Sequence, residues 1–471
     1  MICNISTRMA AIKDGGIKMS LQGKKVLVVG TGKSGIAATE LLCANGIDTV
    51  LFDENKELDS KALYEKAPKL KEVPLILGDL TDEQMDEFDV AVLSPGVPTD
   101  IPMVNSLRDR GVKIWGEIEL AYTFGAGEII AITGTNGKTT TTALTGEIMK
   151  NYFNDVRVVG NIGIPYTSMV TGSTGETVTV AEISSFQLET VDTFKPHVSA
   201  ILNITPDHLN RHHTMENYIR AKEDITKNQT ADDYCVLNYE DEVLRAFATE
   251  CPAKVIFFSS KSELSDGFYL DGDIIIYAHD GVRDEVIDVN ELNLLGKHNF
   301  ENVMAACAMS LSFGVPMDKI VEVLKVFKAV EHRIEYVTEK RGVRFYNDSK
   351  GTNPDAAIQG IRAMNRPTLL IGGGYDKQSE YDEWIEAFDG KVKELVLIGQ
   401  TADKIEECAH RHGFMNTVKK DTFEEAVNYC YEHAVSGDAV LLSPACASWG
   451  MFPNYEERGR IFKEIVKGFK E

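Results

Sequence analysis

The segment Gly134-Thr135-Asn136-Gly137-Lys138-Thr139 follows the apolar run Glu128-Ile129-Ile130-Ala131-Ile132-Thr133 and leads into a helical pattern from Thr140 to Lys150. A strand that feeds a glycine loop and opens a helix aims several backbone N–H groups at one point, where they can wrap a phosphate. Lys138 is then placed for the β and γ oxygens of a nucleoside triphosphate, and the Thr139 hydroxyl for Mg²⁺. The pattern departs from GxxxxGK[ST], because Ile132 occupies the first glycine position. Mg²⁺ takes oxygen ligands and keeps several waters, so nearby carboxylates matter. Glu182 closes the run Val178 to Glu182, and Asp207-His208 follows the run Ala200-Ile201-Leu202-Asn203. Read without context, Glu182 is either a metal ligand or a solvated loop acid, and a lone histidine such as His208 is more often structural.

A second glycine loop lies near the start. Gly30, Gly32 and Gly35 form GxGxxG directly after Lys25-Val26-Leu27-Val28-Val29, and Asp53 ends the next apolar run. Taken alone, the spacing points to NAD, with Asp53 on a ribose. The same glycines suit any nucleotide diphosphate, or merely a tight strand-to-helix turn. No hydride-transfer site follows, whereas triphosphate chemistry does, which favours a nucleotide-tagged substrate here.

The elements around these loops divide the chain of 471 residues into thirds. Apolar runs closed by glycine or a small polar residue and followed by helical patterns predict parallel α/β units with sites at the strand C-terminal ends. The expectation is an α/β chain of three domains. An N-terminal Rossmann-like domain spans 1–116, with 1–20 as a loose extension and Met19 as an alternative start. A central P-loop ATPase domain with a mostly parallel sheet spans 117–329. A C-terminal Rossmann-like domain spans 330–471, with strands near Val343-Arg344-Phe345-Tyr346, Thr368 to Ile371, Leu395 to Ile398 and Ala439 to Leu442. The 49 basic and 72 acidic residues give a net charge of −23, which disfavours nucleic acid and anionic lipid. Eight scattered cysteines without CxxC pairs suit a reducing compartment. No run approaches the ~18 apolar residues of a membrane span. A cytoplasmic location without membrane insertion is the expectation.

Several motifs then occur in a fixed order. They are GTNGKTT from Gly134, Gly160-Asn161-Ile162-Gly163, Glu182-Ile183-Ser184-Ser185-Phe186-Gln187-Leu188-Glu189, Asn203-Ile204-Thr205-Pro206-Asp207-His208-Leu209 and Gly296-Lys297-His298-Asn299. With these the chain resembles the Mur ligases over nearly all of its length after residue 20. Asn347-Asp348-Ser349-Lys350-Gly351-Thr352-Asn353 and Ser443-Pro444-Ala445-Cys446-Ala447-Ser448 are similar to the branch of that family that adds D-glutamate.

The resemblance implies an ATP-dependent ligase of peptidoglycan synthesis that joins D-glutamate to UDP-N-acetylmuramoyl-L-alanine through an acyl phosphate. It implies ATP and two Mg²⁺ ions as cofactors, a monomer, and closure of the domains during the reaction. ATP would be held by Gly134, Thr135, Asn136, Gly137, Lys138, Thr139 and Thr140, with Asn299, Arg333 and Asp348. Magnesium would be held by Thr139, Glu182, His208 and a carbamylated Lys222. Lys138, Glu182, His208, Lys222 and Lys350 would form the catalytic set. The UDP-substrate would meet Lys33, Ser34, Asp53, Gly96, Asn161 and Ser184, and D-glutamate would meet Thr352, Lys377, Ser448 and Tyr455. The sequence departs from the pattern at Gly450, where relatives commonly carry aspartate, and at Asn55, near which relatives can carry arginine. The alternatives are a folylpolyglutamate-type ligase or another Mur-type ligase, an NAD-dependent dehydrogenase resting on the first loop alone, and a non-catalytic nucleotide switch.

Overall fold

The computed structural model describes residues 21–161, 163–328 and 330–470. The expected loose extension, the alternative start at Met19 and residue Ile162 of the second motif therefore lie outside the described residues. Three α/β sheets of five, nine and six strands carry the chain.

The first sheet holds β1 (Lys25–Val29), β2 (Asp48–Asp53), β3 (Leu75–Leu77), β4 (Val90–Leu93) and β5 (Lys113–Gly116), all parallel, in the order β3-β2-β1-β4-β5. The strand order reverses between β1 and β4, and ligands of open α/β sheets bind outside the strand ends at such a point. The glycine loop after β1 and the Ser94-Pro95-Gly96 turn after β4 meet there, the Ser94 amide donating to the Val29 carbonyl at 2.9 Å.

The second sheet contains β6 (Glu128–Thr133), β7 (Val156–Gly160), β8 (Val178–Glu182), β9 (Val198–Ile201), β10 (Tyr234–Asn238), β11 (Lys254–Ser259), β12 (Gly267–Asp271), β13 (Ile274–His279) and β14 (Val282–Asp288), in the order β14-β13-β12-β11-β10-β9-β6-β8-β7. From β7 to β12 the pairs are parallel, and β12 and β13 form an antiparallel hairpin. The expected mostly parallel sheet is present. Sequence patterning placed no strand between residues 254 and 288: two-residue turns carrying Gly272 and Gly281 join β12 to β13 and β13 to β14, a hairpin signal that a search for strand–glycine–helix units passes over.

These two sheets form one compact unit, made of the described residues up to Ile287 with Glu301–Leu324. A single apolar cluster runs from Val26 and Val28 through Ile118, Leu120 and Ala121 to Ile129 and Ala131. The link is the helix Glu117–Phe124, which carries two buried carboxylates. Glu119, with no exposed surface, accepts from the Asp192, Thr193 and Phe194 amides at 2.9–3.0 Å and from the Thr193 hydroxyl. Glu117 accepts from the Thr167 amide at 2.6 Å and the Thr167 hydroxyl at 2.9 Å, and burial pushes its carboxyl pKa up. A buried carboxylate survives only when such donors replace its water.

The third sheet holds β15 (Glu335–Lys340), β16 (Val343–Asn347), β17 (Thr368–Gly373), β18 (Val392–Ile398), β19 (Thr417–Lys419) and β20 (Ala439–Leu442), in the order β15-β16-β20-β17-β18-β19. Only β15 runs antiparallel to its neighbour. Apolar clusters cover both faces, one around Leu370, Trp384 and Leu441, the other around Ile371, Val440 and Phe462, as a parallel sheet requires. The compact unit built on it is Lys325–Glu471 together with Asp288–Phe300. Leu295 packs against its core, and Asn293 Nδ2 donates to the Lys325 and Phe327 carbonyls.

Replacing Glu119 by alanine strands four donors in an apolar interior. Glu119→Ala is expected to cost about 4 kcal/mol. Urea unfolding followed by circular dichroism should show the first transition moving to lower urea, and an unchanged midpoint would refute the staple.

Candidate active site

The phosphate loop sits where β6 ends, flanked by the tips of β8 and β9. Its conformation is set by neighbours. Gly137 has φ +88°, and a β-carbon there would come 2.3 Å from Asn302 Oδ1, so only glycine fits without displacement. Asn203, just past β9, clasps the loop from below. Its Oδ1 accepts from the Asn136 amide at 2.8 Å, its Nδ2 donates to the Asn136 carbonyl at 3.1 Å, and its carbonyl accepts from the Thr135 amide at 2.9 Å. The Thr135 hydroxyl meets Tyr218 Oη at 3.0 Å and the Thr205 carbonyl at 3.1 Å. The helix begins at Lys138, two residues before the sequence pattern placed it, and runs to Tyr152. Thr139 stands on its first turn half-buried, and Thr140 is buried.

Two lysines converge on this loop. Lys138 Nζ donates to the Gly134 carbonyl at 2.7 Å and to the Thr135 carbonyl at 2.9 Å. Lys222 Nζ, from the helix Met215–Glu223, donates to the same Gly134 carbonyl at 2.9 Å. Lys222 is only 1% exposed, and its ammonium also lies 4.6 Å from the centre of the Tyr218 ring. Burial first, and the Lys138 charge second, hold the Lys222 pKa well below the usual lysine value, with Asp207 opposing. A buried amine in that setting favours its neutral, nucleophilic form.

Glu182 is buried at the tip of β8, and Asn161 straps it. Asn161 Nδ2 donates to Glu182 Oε1 at 3.2 Å, and the Asn161 amide donates to the Glu182 carbonyl at 2.8 Å. Ser184 caps the helix Ser185–Leu188 and bonds Gln187 Oε1 through both its amide and its hydroxyl. His208 has φ +53° and a half-exposed ring that lies 3.5 Å from Asp207 and 4.9 Å, centre to centre, from Phe186. The buried histidine of this region is His212, held by Ser185 Oγ at 3.0 Å and Glu189 at 3.2 Å. Arg211 NH2 bridges Glu189 at 2.8 Å and the Val97 carbonyl at 2.9 Å, joining the first two sheets near Gly96.

At the first sheet, Lys33 and Ser34 open the helix Lys33–Ala44 directly after the glycine loop. A β-carbon at Gly35 would sit 1.8 Å from the Gly30 carbonyl oxygen, so close helix-to-strand packing demands glycine. Asp53 Oδ2 accepts from the Thr31 amide at 3.0 Å and the Thr31 hydroxyl at 2.6 Å, and its Oδ1 from the Asn55 amide at 3.0 Å. The acid thus closes the loop as well as facing it. Gly96 is exposed at the β4 turn.

In the C-terminal unit the expected residues gather at the tips of the adjacent strands β16, β20 and β17. Asp348, buried just past β16, accepts from Ser443 Oγ at 2.6 Å and from the Ile334 amide at 3.3 Å. Burial pushes its carboxyl up to about 6, against the pull of Ser443, Arg333 and Arg458. Arg458, 1% exposed, donates to Ser349 Oγ, the Ser349 carbonyl and the Cys446 carbonyl at 2.8–3.2 Å, and burial draws it down to about 10. Lys350 Nζ lies 5.8 Å from the Tyr455 ring centre, and the Thr352 amide donates to the Lys350 carbonyl at 2.8 Å. Lys377 Nζ lies 5.3 Å from the Trp449 ring centre, next to buried Ser448, because the Tyr375 and Ala447 backbones pair between the two loops. Asn299 is buried, donating to the Leu295 carbonyl at 2.7 Å, and Arg333 presses on His298, whose pKa falls to about 4 chiefly through burial.

Sequence reasoning missed Asn203, Tyr218 and Asn302, which shape the phosphate loop. Asn203 carried a signal, since it comes two residues after the end of β9, in the same sheet as the strand that Glu182 closes. Asn302 lies three residues beyond Asn299 on one helix face, and Tyr218 one turn before Lys222.

Comparison with known proteins assigns the class. Three domain families match in the order of the sheets: the Mur ligase MurD-like N-terminal domain over 24–116, the Mur ligase middle domain over 132–310 and the Mur ligase glutamate ligase domain over 332–446. The chain belongs to the Mur ligase family. A UDP-N-acetylmuramoylalanine--D-glutamate ligase of Lachnoclostridium phytofermentans is 59% identical over 453 residues, covering 96% of this chain and 100% of the relative. That of Lachnospira eligens is 57% identical, covering 95% and 99%. The fold is also that of the UDP-N-acetylmuramate-alanine ligase MurC of Thermotoga maritima, with a TM-score of 0.59 at 20% identity over 95% of this chain and 100% of that one.

The raised Asp348 pKa links stability to pH. The folded state binds this proton more tightly than the unfolded chain does, so the stabilisation is complete below the ordinary value of 3.8 and is lost as pH rises through about 6. Asp348→Asn removes the ionisation. Relative to wild type, the variant should gain on the order of 3 kcal/mol between pH 4 and pH 6 and no more above that window. Hydrogen exchange of peptides spanning β16 and β20 reads this directly, and a pH-independent difference would contradict it.

Proposed function

We propose that the chain joins D-glutamate to the free carboxylate of UDP-N-acetylmuramoyl-L-alanine at the expense of ATP, a ligation step of peptidoglycan synthesis. The relatives at 59% and 57% identity carry that activity in their names, and full-length coverage supports extending it to this chain. The observation that carries the chemistry is the convergence of Lys138 and Lys222 on the Gly134 carbonyl, beside the buried Glu182.

Phosphoryl transfer depends mainly on positioning and on neutralising charge. The loop amides of Gly134, Thr135, Asn136 and Gly137 orient the triphosphate. Lys138 exchanges its loop carbonyl partners for the β and γ oxygens, so the loop is held in shape before nucleotide arrives. The substrate carboxylate oxygen attacks the γ phosphorus, the bond to the β-phosphate oxygen breaks, and ADP leaves. The D-glutamate amine then attacks the acyl carbon of the resulting acyl phosphate, releasing phosphate and one proton.

The donors near the loop suit Mg²⁺: a buried carboxylate at Glu182, the Thr139 hydroxyl, and His208 on the segment that follows β9. Two bound Mg²⁺ ions would supply charge neutralisation on the phosphate oxygens. Lys222 enters this set by reacting as a neutral amine with carbon dioxide, a C–N bond forming as one N–H proton leaves to solvent, which turns it into an anionic oxygen donor, and its depressed pKa supports that step. Asn299, Arg333 and Asp348 serve the nucleotide, and Lys350 the phosphates. Thr352, Lys377, Ser448 and Tyr455 receive D-glutamate, where a lysine on an aromatic face can turn to a carboxylate. Lys33, Ser34, Asp53, Gly96, Asn161 and Ser184 receive the UDP-substrate. Domain divisions at 116 and 329, a monomeric state and a cytoplasmic location complete the proposal. No helix among the described residues is long and apolar enough to cross a membrane.

ADP release by the purified protein should require ATP, magnesium, UDP-N-acetylmuramoyl-L-alanine and D-glutamate together. Lys138→Ala should abolish it, and equal use of L- and D-glutamate would sink the specificity. Lys222→Ala should slow turnover by at least about a hundredfold. Wild-type activity should fall in carbonate-depleted buffer and return with bicarbonate, and indifference to bicarbonate would remove the carbamate from the reading.

A further inference from the structure

Away from the expected active-site residues, the C-terminal unit brings together three side chains of different donor type. Asp382 opens the short helix Asp382–Glu386, while Cys408 lies in the last turn of the helix Ala402–Arg411 and His412 is its C-cap, one turn further on. A carboxylate oxygen, the Cys408 sulfur and a ring nitrogen of His412 all lie within 4.8 Å of one another. His412 Nε2 is 2.8 Å from Asp382 Oδ1, and His412 Nδ1 is 3.7 Å from Glu386 Oε1.

We propose that Asp382, Cys408 and His412 form a binding site for a divalent cation of the zinc class, with the remaining coordination position open to water. Sulfur and imidazole donors select zinc or cobalt over magnesium, and one carboxylate completes the three-ligand set of an open tetrahedral site. Cysteine and histidine four residues apart occupy one helix face. The end of a ten-residue helix adds partial negative charge, which favours a cation. Glu386 stands beside the second ring nitrogen, where a carboxylate orients a metal-binding imidazole. The ion would tie the two helices together just beyond the loop that carries Lys377. Sequence spacing hides the site, since Asp382 is distant in the chain and no second cysteine flags it.

The same groups already form an ion-pair cluster, because Arg411 NH2 also lies 3.1 Å from Asp382 Oδ1. Metal binding replaces the His412 and Arg411 bonds to that carboxylate and expels the Cys408 thiol proton to solvent, one sulfur–metal bond forming as one S–H bond breaks. Because that proton is released, binding should tighten as pH rises.

The test uses the full chain, stripped of metal and held in excess Mg²⁺ to fill oxygen sites, titrated with Co²⁺. The expected result is one equivalent per chain with a thiolate-to-cobalt charge-transfer band that grows with pH and is displaced by Zn²⁺. Cys408→Ser should abolish the band, and Asp382→Asn and His412→Ala should weaken Co²⁺ binding at least about tenfold. Cys43→Ser, in the first sheet's unit, should leave the band unchanged. Absence of the band at saturating Co²⁺, or its persistence in Cys408→Ser, would overturn the site and leave an ion-pair cluster only. Should Cys408→Ser lose its circular dichroism, the surface variant His412→Ala decides: undiminished affinity there also overturns the proposal.

Discussion

One carbonyl oxygen, that of Gly134, takes hydrogen bonds from two lysines that approach from different helices. Holding two like charges at one acceptor is costly in a buried setting, and the molecule absorbs the cost by driving Lys222 toward its neutral form. That constraint organises the surroundings. The Asn203 clasp, the Tyr218 hydroxyl and the Asn302 contact keep the loop from moving off the pair, and Gly137 permits the close approach. A phosphate loop built this way is shaped before ligand arrives, so binding energy need not be spent on folding it.

Buried charge recurs as a structural device. Glu119 collects four donors and Glu117 two from segments that carry the second sheet, so the helix between the first two sheets is anchored by hydrogen bonding as well as by apolar packing. In the C-terminal unit, Arg458 plays the converse part, feeding three donors to the backbone and side chain of residues beside Asp348. Such groups are costly to desolvate and specific once satisfied. They pin loops that β-strands alone would leave at large.

Each sheet offers its functional candidates at the C-terminal ends of adjacent parallel strands: β1, β2 and β4 in the first, β6, β7, β8 and β9 in the second, β16, β17 and β20 in the third. Side chains far apart in sequence therefore share one edge of a rigid platform. The Asp382, Cys408 and His412 group stands outside that scheme, on two helices beside the third sheet, and answers to softer chemistry than the oxygen-rich phosphate loop.

Local pattern alone determined a good deal. A glycine loop between a strand and a helix is a short-range signal, so the phosphate loop, the N-terminal loop and the parallel α/β class were readable from spacing, and the ordered motifs were enough for the family resemblance. Contacts across long separations were not readable, because hydrogen-bonding partners and desolvation depend on which surfaces fold together. Lys222 meets a carbonyl 88 residues away, Glu119 its donors 73 to 75 residues on, and Ser443 its acid 95 residues back. The four strands between residues 254 and 288 are followed by short turns, two of them carrying Gly272 and Gly281, rather than by the glycine loop and helix of a parallel unit, and the attachment of Asp288–Phe300 to the C-terminal core rests on packing that periodicity does not encode. Residue types and their spacing selected the chemistry. Only burial in the folded chain decided the direction in which the Lys222 and Asp348 pKa values move, because a pKa follows the water that tertiary packing removes.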